Sequence, residues 1–532
     1  MPSYCIPLAN RGLCRFSTSP CCTTFLSPSN QNVVSKSQRS TSATSALSED
    51  THEHVKPFKD IPGHTGFFER WKNLYLALKG QNEVRISNLL YKDYNVYGSI
   101  YKQYVGPIAM VSVGGPEVIE QLFRNLDKYP LKPLDTLGGW IAYREIRGEA
   151  CGVLTAEEQN WADMRNVLSK KILKPKHIQI YGPKINSIVS DMVTRLRYAR
   201  DVDGNGLVIP QLTNELYKWS MEGVCSILYE TRLGCLDNKI SPDLQAFIDA
   251  VANMLTTTGQ LNAALALQIK LNSKPWRVHR DAWDTIFGQA KKCIDNRRKE
   301  LADKLQNEET DPDDEGAELL TYLFANNKMS DKEIHANMTE LMMAGVDTTS
   351  NTLGFALYLL AQHPEAQDKL KTEVDQVLNG RLAEYSDFQN MPYLRAVVKE
   401  TLRIYPVVPI YARIVDKDFV LGGYKIPKRT FLLLNHMGCC RDEKVFKNAD
   451  QFIPERWYRK EGRADHHAFA SVPFSYGVRS CVGRRIAELE LYLALCRISN
   501  EFKLKLSDGE FVPFYRGILT PGREVPIEFH DR

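Results

Sequence analysis

The sequence predicts a mainly α fold with small β-sheets, built as one large domain. Three observations predict it. Apolar positions recur at helical spacing through Glu157–Leu173, much of residues 175–325 and the run from Ser330 to Gln362. Strand-like segments are few and short, Ile108–Val113 and Asp418–Ile426 being the clearest. Beyond residue 60 there is no long Pro/Gly/Ser linker, repeat or low-complexity tract, so 532 residues with 43% apolar content read as one core rather than several.

The ends of the composition argument concern targeting and charge. Residues 1–48 are rich in Ser and Thr and hold Arg11, Arg15, Lys36 and Arg39, with no acid before Glu49. That is the composition of a mitochondrial transit peptide. A secretory signal needs a continuous apolar core, and none is present. The net charge of +4 resides in that segment, leaving 64 basic residues against 64 acidic ones, so no basic field points to nucleic acid. The twelve cysteines are scattered without a CxxC pair, and Cys21–Cys22 and Cys439–Cys440 are adjacent, which suits a reducing compartment. No stretch approaches the length of apolar chain that crosses a bilayer.

Taken in order, Gly66–Lys102 reads as helical, followed by the strand Ile108–Val113 and the Gly114–Gly115 turn. In the helix Glu157–Leu173, Trp161 and Arg165 are four apart and share a face. Breaks fall at Gly204–Gly206, Gly234 and Asn272–Pro275. The stretch Leu255–Trp283 mixes apolar residues with Trp276, Arg277, Arg280 and Trp283, which suits either a membrane-facing entrance or an ordinary amphipathic surface helix. The acidic Glu308–Glu315 segment is a solvated connector.

Ser330-Asp331-Lys332-Glu333 has capping-box spacing and starts a helix that runs to Gln362, before Pro364. That helix is apolar on most sides and is therefore buried. Inside it, Ala344-Gly345-Val346-Asp347-Thr348-Thr349 breaks two local rules. A glycine in a helix interior costs about 1 kcal/mol, and a buried carboxylate is costly unless paired. Such violations are expected at functional sites. Thr348 can bond a carbonyl one turn back and loosen the helix. Near the C-terminus, Phe474-Ser475-Tyr476-Gly477-Val478-Arg479-Ser480-Cys481-Val482-Gly483 is a glycine-punctuated loop that ends at the amphipathic run Arg484–Phe502. Gly477 and Gly483 are read as permitting backbone angles and close approach that a side chain would forbid. Cys481, beside Arg479 and a helix N-terminus, is expected to have a lowered pKa and good metal-ligand character.

The spacing Phe-x-x-Gly-x-Arg-x-Cys-x-Gly resembles the haem-thiolate loop of cytochromes P450, and the resemblance covers essentially the whole chain after the presequence. It implies the P450 fold, haem b as cofactor and Cys481 as the axial ligand of its iron. Trp161 and Arg165 resemble the family's pair on one haem propionate; Arg413 and Arg479 are placed on propionates too. The segment with Asp347 and Thr348 matches the family's acid–alcohol motif, which implies that both residues relay protons to dioxygen. Glu400-Thr401-Leu402-Arg403 resembles the Glu-x-x-Arg helix. With Arg456 of Phe452–Trp457, it implies a buried triad holding the cysteine loop. One departure is Ser475, where the mitochondrial clan usually has glycine.

Arg484–Glu490 and Pro392–Lys399 look like that clan, in which basic residues here contact a mitochondrial 2Fe–2S ferredoxin. The corresponding patch is Arg395, Lys399, Arg484 and Arg485. Closer similarities are to the family of sterol 27-hydroxylase, the vitamin D hydroxylases and the retinoid 3,4-desaturase. The implied protein is a mitochondrial monooxygenase of residues 49–532, peripheral on the matrix side of the inner membrane. It would hydroxylate or desaturate a sterol, secosteroid or retinoid using dioxygen and ferredoxin electrons. A haem-thiolate isomerase or lyase, and a haem-binding sensor or carrier, are the alternatives. Pocket residues between Leu134 and Leu154 are expected to set the substrate.

Overall fold

In a computed structural model of the protein, the described residues are 55–532, apart from 79–85, 133–136, 262–264, 307–315, 459–465 and single positions 106, 510, 516 and 523. The transit-peptide segment, the acidic connector and part of the Leu134–Leu154 stretch lie outside them.

The first helices are α1 (Phe67–Leu78), α2 (Ile86–Tyr97), α3 (Pro116–Asn125), α4 (Gly138–Arg147), α5 (Glu158–Ile172) and α6 (Pro175–Ile178). A middle group follows: α7 (Gly182–Tyr198), α8 (Leu212–Leu228), α9 (Pro242–Leu261), α10 (Leu265–Lys270), α11 (Lys274–Gln306) and α12 (Leu319–Asn326). The last are α13 (Asp331–Gln362), α14 (Pro364–Leu378), α15 (Pro392–Ile404), α16 (His436–Cys440) and α17 (Arg484–Glu501).

Strands β1 (Gly63–His64), β2 (Ile100–Val105), β3 (Ile108–Val113), β4 (Ile410–Ile414) and β7 (Phe431–Asn435) form a sheet in the order β1-β2-β3-β7-β4. Three small antiparallel pairs are β5 (Phe419–Leu421) with β6 (Tyr424–Ile426), β8 (Phe502–Leu506) with β11 (Ile527–Asp531), and β9 (Phe514–Tyr515) with β10 (Leu519–Thr520).

Helix α13 lies between two apolar cores, which is why it is buried on most sides. Leu353, Leu357 and Leu360 join one core with α7, α14, α15 and α17, whereas Met338, Met342 and Val346 join another with α5, α9 and α11. Its start is the expected capping box: Glu333 N–H donates to Ser330 Oγ, and Ser330 N–H donates to Glu333 Oε2 at 2.8 Å. It ends where Pro364 opens α14.

The third core fills the five-stranded sheet, with Ile119 and Leu122 of α3 against Val111 and Leu432. Here β4 is the edge strand, antiparallel to β7 with Arg413 opposite Leu432. Leu131 bridges to Ile414 on its free side, bringing Lys132 alongside.

The structure differs from the sequence reading in several places. Gly66–Lys102 is not all helical: Ile100–Val105 is strand β2, because its residues pair antiparallel with β3. Asp418–Ile426 is a hairpin, turning at Gly422 and Gly423, which both have positive φ. Trp276 and Trp283 face inward: both are buried in the second core, and Trp283 Nε1 donates to His279 at 3.0 Å. The end of the Leu255–Trp283 stretch, in α11, therefore follows the amphipathic-helix alternative, with Arg277 on its exposed side.

A buried ion network ties α15 to the segment leading toward the cysteine loop. Glu400 and Arg403 are fully buried. Arg403 donates to Glu400 at 2.9 and 2.8 Å, and Arg456 Nε donates to Glu400 Oε1 at 2.8 Å. Trp457 Nε1 and Ile453 N–H also donate to Glu400, at 2.9 and 3.0 Å. The guanidinium of Arg403 in turn donates to the carbonyls of Cys440, Ala449 and Gln451. One carboxylate and one guanidinium thus hold four chain segments. Removing Glu400 leaves Arg403 buried without a carboxylate, and removing Arg403 frees the Cys440, Ala449 and Gln451 carbonyls and leaves Glu400 with Arg456 as its one cation among the described residues. Arg403→Met should lower unfolding free energy by about 3–5 kcal/mol in denaturant titration, against near zero for a surface pair such as Lys371–Asp375.

Candidate active site

The cysteine loop is fixed by its own backbone. Ser475 N–H donates to Val472 O and Cys481 N–H to Phe474 O, both at 2.8 Å, while Gly477–Arg479 makes one tight turn. Tyr411 of β4 donates its hydroxyl to Val472 O and Pro473 O, pinning the loop to the sheet. Gly477 has φ +75°, as its place in the sequence suggests. Gly483 has φ −85°, a backbone angle that any residue adopts, and it lines the cavity beside Cys481. Ser475 takes φ +58°, so the clan's usual glycine suits this backbone; the serine instead accepts from Arg413 Nη2 at 3.2 Å.

Cys481 opens onto a cavity of about 410 Å³. Burial pushes its thiol pKa up, against the sequence expectation. The amides of Gly483 and Arg484 and the guanidinium groups of Arg165 and Arg484 pull it back only in part. Arg479, the cation nearest in sequence, turns elsewhere: it stacks 3.6 Å over the Trp161 ring and donates to Pro130 O.

Across the cavity stands α13. Leu341, Ala344, Gly345, Thr348 and Thr349 line it, and Thr348 Oγ1 donates to Ala344 O at 2.8 Å, the back-bond expected of it. A Cβ on Gly345 would press on Val224 of α8 at 3.0 Å, so this glycine serves helix–helix approach as well. Asp347 is buried but is not among the cavity-lining residues. Most other walls are apolar: Leu137, Val153, Leu154, Val407, Val408 and Ile486.

Four cations converge on one edge: Lys132, Arg165, Arg413 and Arg479. Burial and the neighbouring arginines push Lys132 down to about 7; burial pushes Arg413 to about 10, and burial with Arg413 takes Arg479 to about 9. Among the described residues, no carboxylate forms an ion pair with any of them, and Nη1 and Nη2 of Arg479 are buried without a hydrogen-bond partner. Clustered cations, Arg413 and Arg479 buried and Lys132 and Arg165 half-buried, with unused donors on Arg479, fit a cofactor bearing carboxylates at one edge. The cysteine sulfur supplies a ligand for a metal within it. Trp161, Arg165, Arg413, Arg479, Cys481 and Thr348 thus all line one cavity.

Sequence reading missed two lining residues. Lys132 stands in no motif, and only the strand bridge places it here. Glu490 is buried, with neither carboxylate oxygen hydrogen-bonded, and burial raises its pKa well above the usual carboxylate range. Gly223 makes room for it, since a Cβ there would lie 2.3 Å from Glu490 Oε1. An acid inside the apolar Leu489–Leu495 run was the available signal.

Comparison with known proteins agrees with this geometry. The family model for cytochrome P450 matches residues 67–529. Cytochrome P450 27C1 of Danio rerio is 36% identical over 483 residues, covering 90% of this chain and 88% of the relative. Rattus norvegicus mitochondrial 1,25-dihydroxyvitamin D(3) 24-hydroxylase is 38% identical over 469 residues, covering 87% and 86%. Homo sapiens mitochondrial sterol 26-hydroxylase is 35% identical over 447 residues, covering 82% of each. The crystal structure of the cytochrome P450DA heme domain superposes with a TM-score of 0.71 at 20% identity, over 86% of this chain and 95% of that one, which shows the shared fold. Family match and site geometry converge on one conclusion: this chain belongs to the cytochrome P450 family and is a monooxygenase of the kind that holds haem b through a cysteine thiolate.

Proposed function

We propose that residues 49–532 form a mitochondrial monooxygenase that hydroxylates a sterol or secosteroid with electrons from a 2Fe–2S ferredoxin. The observation that carries this reading is that Cys481, Thr348 and the cations Lys132, Arg165, Arg413 and Arg479 all line one largely apolar cavity. The relatives named as sterol and vitamin D hydroxylases support the substrate class, and their mitochondrial naming supports the compartment.

Cys481 would ligate the iron, while Arg165, Arg413 and Arg479, with Trp161 and Lys132, would hold the carboxylates. When bound, haem supplies dioxygen activation and oxygen insertion into an unactivated C–H bond, consuming two electrons and two protons. The chain's own part is to orient, to dehydrate and to move protons. The apolar walls exclude water and present a large lipophilic substrate to Thr348. The Thr348 hydroxyl, which donates to the Ala344 carbonyl, donates a proton at Oγ1 when it turns to the cavity. Asp347, buried next to it in α13, restores that proton. The Glu400–Arg403–Arg456 network keeps the sulfur in place without touching the substrate.

For the electron donor, Lys399, Arg484 and Arg485 are exposed at the starts of α15 and α17 or along them, and Arg395 is half-buried. Glu488 pairs with Arg484 at 2.8 Å and lies 4.0 Å from Arg485, so the patch keeps a net positive charge suited to an acidic protein. Among the described residues no helix is long and apolar enough to cross a membrane. Phe67, Phe68, Trp71 and Tyr75 of α1 are exposed, and this aromatic face supports peripheral contact with the matrix side of the inner membrane.

Two outcomes follow. Arg479→Met should raise the stability of the haem-free protein by about 1–4 kcal/mol in thermal or denaturant unfolding, since it removes an unpaired buried charge, yet weaken haem retention. Equal loss of both stabilities would contradict the cation role. In reconstitution with purified ferredoxin, its reductase and NADPH, a sterol or secosteroid should accelerate NADPH oxidation and yield an alcohol. Thr348→Ala should cut product at least about 10²-fold while NADPH oxidation continues. Product formed without electron consumption would point to an isomerase or lyase instead.

A further inference from the structure

A second buried carboxylate on α13 does something the acid–alcohol motif does not. Glu340 is fully buried and sits one turn before Ala344 and two turns before Thr348, on the same face of the helix. Its oxygens accept from Gly152 N–H at 3.1 Å, Leu154 N–H at 2.7 Å and Thr155 Oγ1 at 2.5 Å. Between them, Val153 N–H donates to Asn337 Oδ1 at 2.9 Å, one turn earlier on α13. Three consecutive amides of the α4–α5 loop are therefore bound by two side chains of one helix.

Charge is balanced locally. Arg144 of α4, itself buried, lies 3.0 Å from Glu340 and stacks on the Trp283 ring, 4.7 Å from its centroid. A carboxylate with four such neighbours acts only as an acceptor. The approach is close enough to require glycine: a Cβ on Gly152 would stand 2.6 Å from Glu340 Oε2 and 2.9 Å from Ala336 O. Amides 152–154 have no strand or helix of their own to satisfy them, so this latch is what orders the loop. Val153 and Leu154, held by it, form part of the cavity wall.

We propose that Glu340 is a positioning residue that, by latching residues 152–155 to α13, sets the cavity wall that decides how a large substrate lies against Thr348. The inference rests on the reading of this cavity as the substrate site. A wall bonded to the helix that carries Thr348 moves with that helix, so wall and proton donor keep one spacing. Arg165, Arg413 and Arg479 of the cofactor edge make no bond to the latch, whereas the Glu340 charge acts on Lys132, so the charge-preserving Gly152→Ala separates a change in the wall from a change at that edge.

The test uses the holoenzyme with Glu340→Gln and Gly152→Ala, the second of which keeps the Arg144–Glu340 pair and serves if the first fails to fold. The probes are imidazole, too small to reach the wall, and clotrimazole, whose bulk presses on it; both are followed by the shift of the haem absorption band. Hydrogen exchange of amides 152–154 is read in parallel. The expected result is exchange faster by about tenfold or more, clotrimazole affinity reduced about fivefold or more, and imidazole affinity unchanged. Faster exchange with both affinities unchanged, equal weakening of both probes, or unaltered exchange would each overturn the latch as a wall-setting device. If neither azole shifts the band of the unmutated protein, the haem reading fails instead, and the exchange of amides 152–154 alone then decides whether the latch exists.

Discussion

Four cations and a thiol gathered on one cavity form the constraint on which the rest of this structure depends. Lys132, Arg165, Arg413 and Arg479 come from a loop, a helix, an edge strand and the cysteine loop, so four separate parts of the chain must agree to place them. No protein carboxylate answers them among the described residues, and their depressed pKa values show the cost of that arrangement. A fold retains such a cluster only where a bound anion completes it.

The scaffold is organised to hold the two walls of that cavity apart and in register. On one wall, the Glu400–Arg403 network anchors the segments that precede the cysteine loop, and Tyr411 pins the loop to the edge strand. On the other, α13 is locked between two apolar cores, so its interior glycine and the Thr348 back-bond are carried by packing on both sides. Local irregularity is thus confined to the cavity face, where chemistry needs it. Glu340 extends the same logic upward, using a buried charge pair to order a loop that has no regular structure.

Legibility in the sequence followed the locality of each signal. The capping box at Ser330, the end of α13 before Pro364 and the strand Ile108–Val113 were readable because neighbouring residues decide them. Strand β2 was not, because its pairing with β3 outweighs the helical run before it. Trp283 reads as an interfacial residue until a partner for its indole N–H is known, and His279 supplies that partner inside the core. The depressed Cys481 pKa expected from helix and arginine overlooked burial, which dominates. Lys132 arrives through a single bridge to β4 and Glu340 through bonds nearly two hundred residues away in sequence, so neither leaves a local trace. Ser475 shows the reverse case: the departure was visible, while its meaning, a left-handed backbone and a bond to Arg413, needed the structure.

The most direct measurement of the central claim is the absorption spectrum of the reduced, carbon monoxide-bound protein, taken with and without the Cys481→Ser substitution. The account predicts the strongly red-shifted Soret band of thiolate ligation in the unmutated protein and its disappearance in the variant. An unshifted band in the unmutated protein, or a red-shifted band that survives the loss of this sulfur, would contradict it.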